Sequence, residues 1–281
     1  MDGNMETPES VVDQTVASEA AEVIAPARPE TVAPVWHTVV LVAAILAISW
    51  SGSGRTTGVR VAHGRAVGYA VTAAMELVLL GWVALGLWLR KVPFRSLFGK
   101  IERGVSGFFK DLGIAALFWI ISMMVLGSLG LTWNAVEFAT THKGAMPTPG
   151  QKLEPSVQQK QTLQTLERMA PANGMEIACW VALCLVVGPV EEAIFRGYLQ
   201  KQFTAWSRDR LAVGIVASAV LFGAAHGYEG LRSMVLLGAF GAMFGLLVWI
   251  RGGLRAGIFA HSAHDLIVGL ILAAARARHL I

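Results

Sequence analysis

The sequence predicts an all-α fold, a polytopic membrane helix bundle of seven or eight transmembrane helices. Three observations carry that expectation. Of the 281 residues, 54% are hydrophobic and only 15% are charged, against roughly 25% charged in soluble domains. Apolar runs recur at about 35–50, 66–89, 112–133, 176–199, 211–226, 231–250 and 254–275. The basic residues cluster between those runs, as they do in membrane proteins.

Residues 1–34 read as an acidic disordered tail. They hold Asp2, Glu6, Glu9, Asp13, Glu19, Glu22 and Glu30 against one base, Arg28, and four prolines interrupt them. The net charge of +4 therefore leaves about +10 on the remainder. Nucleic-acid binding would want a basic face on a soluble fold, so no nucleic-acid partner is expected. Membrane lipid is the expected surrounding. No basic-then-apolar leader opens the chain, and no prenylation cysteine closes it. Cys179 and Cys184 are five apart in one apolar run and would point to different sides of a helix, which argues against a disulfide.

Residues 35–133 are expected to form N-terminal membrane helices. A helix needs about 20 residues to cross the hydrocarbon core, so the runs at 35–50 and 211–226 are short. Arg90, Lys91, Arg95, Lys100, Arg103 and Lys110 between the second and third runs predict a cytoplasmic loop and a cytoplasmic N-terminus, in a bacterial plasma membrane. The arginines in 51–65 and at Arg276 and Arg278 oppose that orientation. Residues 134–174 read as a polar extramembrane loop. Pro147, Pro149 and Pro155 keep its first part irregular, and Gln158–Met169 suits a short surface helix. That helix is either a solvated connector or a lid over a site.

The chemistry lies in residues 175–281. The fourth run contains Gly188-Pro189-Val190-Glu191-Glu192-Ala193-Ile194-Phe195-Arg196. Each ionisable group there costs about 2.5–3.5 kcal/mol at a membrane helix centre, so a function or a partner is expected. Glu192 and Arg196 are i and i+4, share a face and can pair. Glu191 sits about 100° away with no such local partner. That makes Glu191 the candidate reactive group and Glu192 with Arg196 the structural pair. The next run ends in Phe222-Gly223-Ala224-Ala225-His226, with Gly223 and Gly227 permitting close helix approach. The last run carries His261 and Asp265 at i and i+4, where the carboxylate can fix the imidazole's tautomer. His264 is a third player or a packing residue. The four other runs hold few ionisable groups, Glu76 and His37 among them. Co-occurrence on three successive runs favours one shared buried site.

Glu191-Glu192 with Arg196, Phe222 with His226, and His261 with Asp265 resemble, in order, the three motifs of the CPBP family: CAAX prenyl endopeptidases and bacteriocin-processing (Abi) proteins. The resemblance covers about residues 176–275 and takes the aspartate form of the third motif. It implies an intramembrane endopeptidase acting on a prenylated, membrane-anchored or bacteriocin-like peptide or lipidated protein substrate. Carried over, Glu191 and His226 activate water while His261 and Asp265 stabilise the oxyanion. An alternative reading makes His226, His261 and Glu191 zinc ligands with one open position, and the metal-free mechanism is equally compatible with the motifs. For the three groups to meet, the helix ending at His226 has to tilt, start deeper or lead into an embedded turn at Gly227–Gly230. Two other classes use similar residues. A proton-coupled transporter would be built from internal repeats, which the sequence lacks, and a non-catalytic membrane binding or immunity protein would tolerate degenerate motifs.

Overall fold

The computed structural model describes residues 31–51, 64–102, 104–141, 155 and 157–278. Most of the acidic tail and the prolines at 147 and 149 lie outside them. The described residues form eight helices: α1 (Val35–Ser51), α2 (Arg65–Leu89), α3 (Gly104–Thr141), α4 (Val157–Met169), α5 (Gly174–Trp206), α6 (Leu211–Ala225), α7 (Leu231–Arg251) and α8 (Arg255–Ala277). Five of these, α2, α3, α5, α7 and α8, are long and apolar enough to cross a membrane, while α1 and α6 are shorter apolar helices. The fold is a helical membrane bundle. Each predicted run has its helix, and the predicted surface helix is α4.

Two helices outrun their apolar stretches. α3 has 38 residues, about 57 Å at helical rise, nearly twice the hydrocarbon core. Its last turns enter the polar segment predicted as a loop from residue 134. There Thr132, Thr140 and Thr141 donate to carbonyls three or four residues back on their own helix. α5 continues past residue 199 to Trp206 through a π-helical stretch, Glu192–Leu199. Pro189, inside the helix, supplies no N–H just before the wider turn. The start of α5 is capped reciprocally: Glu176 N donates to Asn173 Oδ1, and Ala172 N donates to Glu176 Oε2.

α6 has 15 residues, about 22 Å, and cannot cross a core of about 30 Å. It stops at Ala225, and a 3-10 turn, Gly227–Glu229, follows. Backbone groups freed at depth need partners. Ser49 of α1 supplies two, donating to Ala224 O and accepting from Gly227 N. Thr162 of α4 donates to Glu229 O. Of the three arrangements the sequence allowed here, a tilt, a deeper start or a turn at Gly227–Gly230, the structure has the turn.

Close packing around the site depends on small residues. A Cβ at Gly188 would collide with Ser262, the neighbour of His261. We expect Gly188→Val to overpack the α5–α8 contact and cost about 1–3 kcal/mol, read as a lower melting temperature in detergent. Gly81→Ala, with nothing within 4 Å of the new atom, is the control that should not lose stability.

His37, one of the two ionisable residues noted outside the motifs, is structural. Its Nε2 donates to Trp82 O and its Nδ1 accepts from Tyr198, whose oxygen in turn accepts from Thr38. The imidazole stacks on Trp82 at 4.7 Å. The ends of α7 and α8 are tied to α3 by charge. Asp111 pairs with Arg251 and Arg255, and Glu102 accepts from Lys110 at 2.9 Å and from Arg251 at 3.0 Å. Those bonds, Lys110 first, hold the exposed Glu102 carboxyl below the usual carboxylate range. Its contribution is thus present above the unfolded value of about 4.3 and is lost as pH falls through the lower folded one. Glu102→Gln should lower the melting temperature at neutral pH and make no difference in strong acid.

Candidate active site

Glu192 is the hub of the buried charges. Its Oε1 accepts from Arg196 at 3.0 Å and from His261 Nδ1 at 2.9 Å, so one carboxylate oxygen joins α5 to α8. Glu192 and Arg196 are almost completely buried, at 0% and 1% exposure. Arg196 also donates to Gly241 O of α7, and its guanidinium lies 4.3 Å from the Phe222 ring and 5.0 Å from the Phe244 ring. Gly241 permits this, since a Cβ there would stand 3.2 Å from the guanidinium.

The sequence-predicted pair Glu192–Arg196 is therefore present, with a second task the motif spacing did not reveal. Glu192, rather than Asp265, makes the hydrogen bond that orients His261. Because a carboxylate only accepts, His261 Nδ1 donates. Its Nε2 then faces Glu191 Oε2 at 3.5 Å and Asp265 Oδ2 at 3.8 Å. Glu191 Oε2 has no hydrogen-bond partner among the described residues.

His226 reaches the same place from the end of α6. Its Nδ1 donates to Phe222 O at 2.8 Å, which leaves the Nε2 lone pair as the acceptor. His226 and Glu191 line one cavity of about 850 Å³ and interact electrostatically. The Phe222 ring neighbours both imidazoles, 4.9 Å from the His226 ring and 6.0 Å from the His261 ring. Glu191, His226, His261 and Asp265 thus gather from three helices. His264 turns away: Trp119 of α3 donates to its Nδ1 and the Phe240 ring lies 5.1 Å off, so it packs.

Sequence reasoning noted Glu76 without assigning it to the site. It sits mid-way along α2 and lines the same cavity as Glu191. The available signal was a lone carboxylate in an otherwise uncharged run of membrane length. α4 supplies Thr165, Arg168 and Met169 to the cavity wall. Its last carbonyls are held from outside: Arg276 donates to Glu167 O, Arg65 to Arg168 O and Tyr69 to Met169 O. Cys179 and Cys184 are both free.

Residues 173–267 match the family model of the type II CAAX prenyl endopeptidases termed Rce1-like. This stretch, about a third of the chain, is similar to an Rce1-like domain. It comprises α5 to most of α8 and so contains Glu191, Glu192, Arg196, His226, His261 and Asp265. Neither a curated protein nor a solved structure matches the chain.

Among the described residues, no group of three or more His, Cys, Asp or Glu side chains is arranged to hold a metal ion. His261 Nδ1 and His226 Nδ1 are both committed to protein acceptors. Those bonds leave both Nε2 atoms uncommitted, as a metal-bound imidazole requires, so the donor atoms suit zinc while their spacing here does not group them around one point; no step below passes through a metal.

Proposed function

We propose that this integral membrane protein is an intramembrane endopeptidase that hydrolyses a peptide bond in a prenylated, membrane-anchored or bacteriocin-like substrate. The supporting observation is convergence: Glu191 and His226 line one cavity, and His261 Nε2 stands 3.5 Å from Glu191. The Rce1-like domain supports the same reaction class.

In this reading water sits between Glu191 and the Nε2 of His226. Glu191 takes its proton as the oxygen attacks the scissile carbonyl. His226, its tautomer set by the Phe222 carbonyl, orients the water. His261, as the imidazolium with Nδ1–H on Glu192 and Nε2–H free to donate, serves the developing oxyanion with Asp265 beside it, and Glu192 with Arg196 holds His261 in place. The apolar part of the cavity, with Ile45, Leu79, Leu183 and Phe195 among its walls, suits a lipid tail or a hydrophobic peptide. We assign the N-terminus to the cytoplasmic side on the loop charges and place the protein in a bacterial plasma membrane as the family resemblance suggests.

The test is proteolysis by the purified protein in detergent, with and without chelator. Cleavage that survives chelation supports a glutamate-activated water. Cleavage lost on chelation and restored by zinc would reassign Glu191, His226 and His261 as ligands. No cleavage of any prenylated or membrane-anchored peptide would overturn the peptidase reading.

A further inference from the structure

We propose that Glu76 of α2, outside the Rce1-like domain, is a second catalytic carboxyl group, the acid that protonates the leaving amine. The inference rests on the hydrolytic reading above. α2 turns one face to the cavity, with Arg65, Gly68, Tyr69, Thr72, Glu76 and Leu79 recurring at helical spacing. Glu76 is the one charged residue between Ala66 and Leu89. A carboxyl group there is costly unless it is used or paired. It has no hydrogen-bond or salt-bridge partner among the described residues, yet it interacts electrostatically with both Glu191 and His261.

Two carboxyl groups facing one low-dielectric cavity share a proton rather than both ionising. The environment decides which one holds it. Glu191 has His261 Nε2 at 3.5 Å and His226 along the same cavity. Glu76 has no imidazole within ion-pair distance among the described residues. The geometry therefore divides the roles, with Glu191 as base and Glu76 as acid.

The step balances. Water oxygen bonds to the carbonyl carbon as its proton passes to Glu191. The carbon–nitrogen bond then breaks as the proton of Glu76 passes to nitrogen, leaving a carboxylic acid and an amine. The proton on Glu191 returns to Glu76 through water, and one water is consumed per bond cleaved.

An amine leaves badly without a proton, whereas a thiolate leaves unaided. The experiment compares a prenylated peptide with its analogue carrying a thioester at the scissile bond, using the full chain in detergent. Glu76→Gln should lower amide cleavage by about 10²–10⁴-fold and leave thioester cleavage close to wild type. Glu191→Gln should lower both. Glu76→Asp, which keeps the carboxyl group, should recover part of the amide rate, and melting curves establish that each variant is folded. Equal loss on both substrates would make Glu76 a structural residue and overturn the proposal, and so would unchanged amide cleavage. Either result leaves the peptidase reading standing. Wild-type protein that cleaves neither substrate overturns that reading, and this proposal with it.

Discussion

Glu191→Gln should abolish turnover while the protein remains folded. Glutamine is nearly isosteric, so the contacts of α5 survive. It cannot accept a proton from water at neutral pH, and loss of one general base costs about 10²–10⁴ in rate. The variant is matched against Glu192→Gln on one peptide substrate at equal folded concentration. Glu192 holds both Arg196 and His261 through one oxygen, so its amide should lower expression and activity together. A Glu191→Gln protein that cleaves at the wild-type rate beside an inert, well-folded Glu192→Gln protein would mean the two carboxylates have exchanged roles. Normal cleavage by both would remove the basis of the hydrolytic reading.

Arg196→Ala should be the most destabilising of the site variants. It strips a fully buried carboxylate of its cation, a change that costs about 3–5 kcal/mol in a buried pair. It also deprives Gly241 O of its donor and leaves space between the Phe222 and Phe244 rings. The expected readout is low yield and a melting temperature well below wild type. A variant with normal yield and melting but no activity would instead give Arg196 a direct part in the chemistry.

The helices were legible because apolar runs of membrane length have few alternatives to the helix. Their ends were less so. Hydropathy marks where a chain meets lipid, not where its helix stops, and α3 continues to Thr141 on backbone bonds that need no apolar side chains. The Glu192–Arg196 pair was readable because i and i+4 are neighbours on any helix. The bond from Glu192 to His261 spans 69 residues, and no local spacing announces it. The same limit explains Asp265. Its i,i+4 position beside His261 is as expected, but a closer carboxylate from another helix takes the hydrogen bond. Glu76 was visible as an isolated acid. Its membership of the site depends on which face of α2 meets α5, which is set by packing. The π-helical stretch Glu192–Leu199 leaves no mark in the residue pattern.

The tethering of α4 has a kinetic consequence. Its last three carbonyls, at Glu167, Arg168 and Met169, are held by side chains of α8 and α2. At about 1 kcal/mol net for each bond, swinging this end away costs about 3 kcal/mol. The open form would then be on the order of one molecule in a hundred at rest. A substrate that enters past α4 meets that fraction alone, and its apparent affinity is weakened in proportion. Weakening a tether, by Arg276→Ala for instance, would raise the capture rate of dilute substrate while leaving the chemical step untouched.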